Sequence, residues 1–267
     1  MGCKSLVLTF FPHPRIVLQE GVEMKQLNTL DEKIHLLDNL GIDNLVIHPF
    51  DKEFSRMTAE EFVKEVLVDA FKIKKIIIGH DHRFGRNRTA NIDDLITFGE
   101  IYGFEVEQIS VEEVNEVSIS STKIRNALLE GNVEMASSYL GYDYSLTGLV
   151  YEGKQLGRTI GFPTANIQIE EDYKLIPLNG VYIAKSVIEG KTMYGMMNIG
   201  TRPTVDGTTQ TTEVYFFDFD KDLYNQKITV SLLKRMRSEQ KFDSVDGLKM
   251  QLLLDKTAAQ NYIRNLE

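Results

Sequence analysis

The sequence predicts two domains of different class, an α/β half followed by an all-β half that ends in a helix. Three observations carry that expectation. Up to residue 140, short apolar runs alternate with stretches of helical spacing, the rhythm of parallel strands joined by crossover helices. After Gly141 the runs become short, β-rich and bounded by glycine and turn residues, which is the texture of an antiparallel barrel or sandwich. The chain has 267 residues, more than one ordinary domain of roughly 100–200 residues needs.

In the first half the pattern predicts strands over Leu6 to Phe10, Asn44 to Ile47, Lys75 to Ile78 and Phe104 to Ile109. Helical spacing fills the intervals at Leu30 to Leu40, Ala59 to Phe71 and Ile92 to Tyr102. Thr58 followed three residues later by Glu61 is a capping box, in which each side chain satisfies the other residue's orphan backbone N–H. In the second half, strands are expected over Leu146 to Tyr151, Gly180 to Val187, Met193 to Ile199, Glu213 to Phe219 and Lys227 to Leu233. A closing helix from Val245 to Leu266 would start at an Asp243 or Ser244 cap and turn Val245, Leu248, Leu252, Ala259 and Ile263 to one face.

Composition narrows the function classes. Hydrophobic residues at 42% with 26% charged describe a soluble globular chain, and no apolar run approaches the roughly 18 residues that span a bilayer. A formal charge of −9 opposes a surface built to hold nucleic acid. Cys3 is the single cysteine, so no intrachain disulfide or thiolate metal cluster can form, which fits a reducing cytoplasm. The N-terminus lacks the pattern of a secretory signal, and Leu6 stands where a myristoylation motif wants Ser or Thr. Oligomeric state is not legible from the residues.

The segment from Gly153 to Asn166 carries three glycines within nine positions, followed by Pro163, Thr164 and Asn166. Such a backbone can turn sharply and present N–H groups to phosphate oxygens, and the Thr and Asn oxygens suit Mg²⁺. The same glycines also suit a plain hairpin loop between two strands, and spacing does not choose between the two readings. The only Gly-Lys-Thr, Gly190 to Thr192, is no P-loop because Lys185 stands where the earlier glycine belongs; it reads as a hairpin turn.

At Gly157-Arg-Thr-Ile-Gly-Phe-Pro-Thr-Ala-Asn166 the chain resembles the GRxxGxPTAN signature of riboflavin kinases, a family of six-stranded Greek-key barrels. Gly180-Val-Tyr182, Asn198 to Thr204, Glu213 ahead of Phe217-Asp-Phe219, Leu223-Tyr224 and Arg237-Ser-Glu239 before Phe242 follow in the same order. The resemblance implies that Gly157, Arg158, Gly161 and Pro163 shape a site in which Thr164 and Asn166 bind Mg²⁺ and ATP phosphates. It further implies that Glu213 is the general base, and that Arg237 and Glu239 stand on the flavin side. All five histidines lie at or before His82, so residues 141–267 hold no imidazole base. Tyr215, where the family often has His, and Asn225, where Gly is usual, depart from the pattern without removing an expected catalytic group.

Ser120-Ser-Thr-Lys-Ile-Arg125 opens a predicted helix. Serine N-capping explains it, and so does a phosphate seat at the helix N-terminus built with Ser121, Thr122 and Arg125. The run resembles the SSTxIR signature of nucleotidylyltransferases. Phe11-Pro-His-Pro14 and Gly79 to Gly85 match the adenylyltransferase half of the prokaryotic bifunctional riboflavin kinases and FAD synthetases. His80 and His82, in the latter run, could instead ligate a metal, although no third ligand is evident. The family's GxFDGxHxGH run is absent from the 267 residues. The expectation is therefore an N-terminally incomplete, Rossmann-like nucleotidylyltransferase domain at 1–140 and a riboflavin kinase barrel with a C-terminal helix at 141–267. Its expected chemistry is phosphorylation of riboflavin to FMN with ATP and Mg²⁺, and impaired conversion of FMN to FAD. A fully bifunctional FAD synthetase and a non-catalytic flavin- or nucleotide-binding module are the alternatives.

Overall fold

The computed structural model describes residues 2–19, 21, 23–79, 83–109, 119–153, 156–204 and 207–266. Its packing divides the chain into two compact units, Met1–Met24 with Leu30–Ser118, and Lys25–Thr29 with Ile119–Glu267. The expected boundary after residue 140 thus falls inside the second unit. Ile124, Ala127, Leu128, Val133 and Ala136 are the cause, because they bury in one core with barrel residues such as Leu146 and Val230.

In the first unit, β1 (Leu6–Phe11) runs parallel to β2 (Asn44–Pro49), with Leu6 opposite Asn44. Between them come α1 (Pro14–Leu18) and α2 (Leu30–Asn39). A helical stretch follows, α3 (Ala59–Glu61), which passes directly into a π-wound segment (Phe62–Ala70). Its capping box forms as the sequence predicts: Glu61 N–H donates to Thr58 Oγ1 at 3.2 Å, and Thr58 N–H donates to Glu61 Oε2 at 2.8 Å. Next, β3 (Lys75–Ile78) pairs in parallel with β4 (Glu105–Gln108) across α4 (Ile92–Tyr102). Val63, Leu67, Leu95, Ile78 and Phe104 form the buried centre. The one parallel sheet that the rhythm suggests is here two separate pairs, β1 with β2 and β3 with β4. Apolar periodicity finds each strand but does not say which neighbour it bonds. His80 and His82 lie outside the described residues.

The second unit begins with α5 (Ser121–Leu129) and α6 (Val133–Leu140) and continues into a closed barrel. Its strands are β5 (Ser145–Tyr151), β6 (Ala165–Gln168), β7 (Gly180–Ile188), β8 (Lys191–Thr204), β9 (Gly207–Phe216) and β10 (Lys227–Arg237). They close in the order β10-β5-β6-β9-β8-β7, every pair antiparallel. Leu146, Met197, Val214, Val230 and Leu232 fill the interior, all without exposed surface. Three expectations need correction. β6 was absent from the strand pattern because its four residues begin inside the glycine-rich motif, at Ala165 and Asn166; β8 is twice the expected length; and β9 ends at Phe216 rather than Phe219. The β7–β8 hairpin does turn at Glu189 and Gly190, with φ of 51° and 75°, as a two-residue turn of positive φ requires.

The chain closes with α8 (Val245–Arg264), capped by the Ser244 hydroxyl, which accepts from Gly247 N–H at 3.1 Å. Ala259 and Ile263 bury against Ile183, Met196 and Phe217, with Leu248 and Leu252 partly buried beside them. Val245, expected on that face, is 54% exposed, and Asp255 takes the buried place in the middle of the stripe.

Candidate active site

Three neighbouring barrel strands set a row of polar side chains. Asn166 of β6 lies opposite Glu213 of β9, and Glu213 lies opposite Asn198 of β8. Directly opposed residues project from the same face, so an amide, a carboxylate and a second amide stand side by side. Just ahead of β6, the Thr164 hydroxyl points to Glu213 Oε2 at 3.5 Å, while Arg202 Nη2 binds Glu213 Oε1 at 3.0 Å. Asn166 is buried, and Gly153 packs against its amide where any Cβ would collide.

These groups open into a cavity of ≈ 580 Å³, with Ile160, Phe162, Met196, Tyr215, Phe242 and Leu248 among its apolar lining. One face of such a pocket can take an aromatic ring while a few polar groups fix orientation. The β5–β6 connection supplies part of the wall. It contains the short helix α7 (Leu156–Thr159), and Phe162 N–H closes the loop on Gly157 O at 2.8 Å. Gly157 lines the cavity, whereas Arg158, Gly161 and Pro163 are exposed on the same loop outside the lining. Because β5 and β6 are antiparallel neighbours, the hairpin loop and the cavity-lining loop are the same segment.

Arg237 and Glu239 also line the cavity. The Arg237 guanidinium is largely committed: Nε reaches both Asp255 oxygens at 3.0 Å, Nη2 reaches Oδ2 at 2.6 Å, and Nη1 donates to Ser238 O at 3.0 Å. Asp255 is 4% exposed and also accepts from Gln251 Nε2 at 2.9 Å. This paired, hydrogen-bonded charge ties the end of β10 to α8 and so fixes the cavity wall that follows it.

Ser121, Thr122 and Arg125 do not join this cavity. They lie on α5, where Ser120 is the N-cap, accepting from Lys123 N–H at 3.3 Å, and Arg125 Nε donates to Lys25 O at 2.9 Å. The structure thus brings together Gly157, Thr164, Asn166, Glu213, Arg237 and Glu239. It adds Asn198 and Arg202 to the lining, and Asp255 as the buried partner of Arg237, none of which sequence reasoning had placed in the site. Asn198 and Arg202 share a strand face by their spacing of four, but only the β8–β9 register brings them to Glu213.

The Thr164 hydroxyl and the Asn166 amide oxygen, both lining the cavity, are oxygen donors, the chemistry that a hard cation such as Mg²⁺ accepts. Among the described residues, no group of three or more His, Cys, Asp or Glu side chains is placed to hold a metal by itself.

A closed six-stranded antiparallel barrel with a terminal helix is the riboflavin kinase fold. The family model for riboflavin kinase matches residues 140–263, and that for FAD synthetase matches residues 1–123. The bifunctional riboflavin kinase/FMN adenylyltransferase of Escherichia coli K12 is 37% identical over 258 residues, which cover 96% of this chain and 82% of that protein. Its counterpart in Listeria monocytogenes is 37% identical over 268 residues, covering 100% and 84%. A crystal structure described as a macrolide-efflux protein from Streptococcus pneumoniae superposes with a TM-score of 0.87 at 33% identity, covering 97% of this chain and 84% of that one. The chain belongs to the family of bifunctional riboflavin kinases/FMN adenylyltransferases. Among the described residues, no helix is long and apolar enough to cross a membrane.

Proposed function

We propose that the barrel unit transfers the γ-phosphoryl group of ATP to the 5′-hydroxyl of riboflavin, giving FMN and ADP, with Glu213 as general base. The observation that carries this reading is the convergence of Thr164, Asn166 and Glu213 on one cavity large enough for a flavin. Glu213 Oε2 accepts the hydroxyl proton as the new O–P bond forms and the bond to ADP breaks. Arg202 holds the other carboxylate oxygen and so fixes the direction of Oε2. Thr164 and Asn166 would hold Mg²⁺ with the phosphates, and the bound ion would neutralise charge that develops on the transferred group. The apolar lining excludes water, which would otherwise compete with riboflavin as acceptor.

A second reading, adenylylation of FMN to FAD by the first unit, is supported by the FAD synthetase match over residues 1–123. The 267 residues contain no GxFDGxHxGH run, whose histidines would stabilise charge on the transferred phosphoryl group, so FAD formation by these residues is expected to be weak. One incubation tests both readings: protein, riboflavin, ATP and Mg²⁺, with FMN and FAD followed separately by chromatography. Absence of FMN overturns the kinase reading. FAD accumulating as fast as FMN overturns the impairment.

A further inference from the structure

A triphosphate brings several negative charges into a cavity whose own lining is acidic. Glu213, Glu239 and Asp243 are its carboxylates, and among the described residues Arg202 and Arg237 are its only cationic side chains. Like charges gathered in a cleft repel strongly unless a cation answers them. Arg237 is not available for that, because Asp255 and the Ser238 carbonyl already engage its Nε, Nη1 and Nη2. Arg202 differs. Its Nη2 donates to Glu213 Oε1 at 3.0 Å, and among the described residues it makes no other hydrogen bond or ion pair. Most N–H groups of its guanidinium fork therefore remain for a ligand.

Glu213 locates that guanidinium relative to the transfer. Arg202 Nη2 is bound to Oε1 and the Thr164 hydroxyl lies 3.5 Å from Oε2, so a single carboxylate stands between the guanidinium and the hydroxyl proposed to hold the magnesium-bound phosphates. The attacking hydroxyl approaches Oε2, and the phosphorus it attacks lies next to that hydroxyl, hence close to Arg202. A plain surface ion pair is the structural alternative. The two side chains are 48% and 23% exposed, and a pair so open to water adds little to stability. Stability alone thus does not account for a cation aimed at the expected base. We infer that Arg202 is a catalytic residue that donates its remaining N–H groups to the phosphoryl group in transit. As riboflavin O5′ bonds to phosphorus and the bond to ADP breaks, the proton goes to Glu213 Oε2. Arg202 meets the charge spread over the phosphoryl oxygens and loses no proton itself. Its planar fork matches phosphate oxygens and stays charged. This role rests on the kinase reading and adds to it a cation at the reacting atoms.

The test is trapping with ADP, Mg²⁺ and aluminium fluoride, which stands in for the planar phosphoryl group between ADP and riboflavin. In the native chain, adding the fluoride should tighten riboflavin binding, read by fluorescence quenching, by about a hundredfold or more, as expected for a transition-state mimic. Arg202→Ala should lose most of that tightening and keep the native midpoint with riboflavin alone. Its kcat for FMN formation should fall by about 10²–10³-fold, the effect of removing one donor from developing charge, with the KM for riboflavin unchanged. Arg202→Lys keeps the charge without the fork and should fall between the two. An arginine that acted only by aiming Glu213 would add nothing once that base is gone, so Arg202→Ala made in a Glu213→Gln chain separates the two roles. A further loss of trapping there supports direct contact with the phosphoryl group, and no further loss overturns it. Undiminished kcat in Arg202→Ala overturns the catalytic role of Arg202 alone. A native chain that forms no FMN overturns the kinase reading and, with it, this role.

Discussion

The two units satisfy their backbones in opposite ways. Each barrel strand is hydrogen-bonded on both sides, whereas β1 to β4 each pair with a single neighbour among the described residues. Closure removes edges, and it also fixes register all the way round. That is why Asn166, Glu213 and Asn198 fall into one row, although Thr164 and Glu213 are 49 positions apart in the chain. The α/β unit has its own core around Val63, Leu67 and Leu95, but its strands end in separate pairs, with Ile77 of β3 58% exposed. A closed sheet can therefore assemble a site from distant short segments.

Four measurements bear on this contrast, beginning with the largest effect. Glu213→Gln should lower FMN formation by about 10²–10⁴-fold, the span of general-base catalysis, while riboflavin fluorescence quenching keeps its midpoint. Unaltered turnover would remove the base from Glu213 and the function from the row. Asp255→Ala should destabilise the barrel unit by about 3–5 kcal/mol, because it leaves the Arg237 charge without its buried partner. Urea unfolding followed by hydrogen exchange would show the loss in β7 to β10 and not in β1 to β4. Equal loss in both sets would mean that the units do not unfold separately.

The third measurement uses pH. Burial pushes the Tyr182 phenol up to about 12, with Arg235 opposing the shift, and its hydroxyl donates to Leu178 O. A folded-state pKa raised above the ordinary value near 10 gives stability that is fully present below about pH 10 and is lost as pH rises toward 12. The difference in barrel stability between pH 9 and pH 12 should therefore shrink by roughly 2–3 kcal/mol in Tyr182→Phe. A pH dependence unchanged by that substitution would show that the phenol titrates normally. The smallest effect belongs to the other unit. Thr58→Ala removes one side of the capping box and should cost about 1 kcal/mol there, with FMN formation unaltered. A fall in FMN formation would show that the barrel's activity depends on the first unit.

Local features were legible in the residues. The capping box at Thr58 and Glu61, the span of α4, the strand at Lys75–Ile78 and the helix following Ser120 all depend on neighbours within a few positions. Thr164, Asn166 and Glu213 stood out through a family signature, and the structure brings them to one cavity. By contrast, Arg202 and Asp255 look like ordinary charged residues in sequence. Nothing in the pattern around Asp255 announces that Arg237, 18 positions away, will take it into the protein interior. The short strand β6 was hidden because it has only four residues and follows directly on Gly161 and Pro163.

The sequence by itself determined the two fold classes, most element positions and the kinds of chemical group available, because caps, turns and apolar periods are short-range. Only the tertiary structure decided which strands bond, that 25–29 and 119–140 belong with the barrel, and which carboxylates face the cavity. Those outcomes depend on strand register and on burial against distant segments. A side chain in the wrong register would face the opposite side of the sheet, and no pattern of near neighbours encodes that choice.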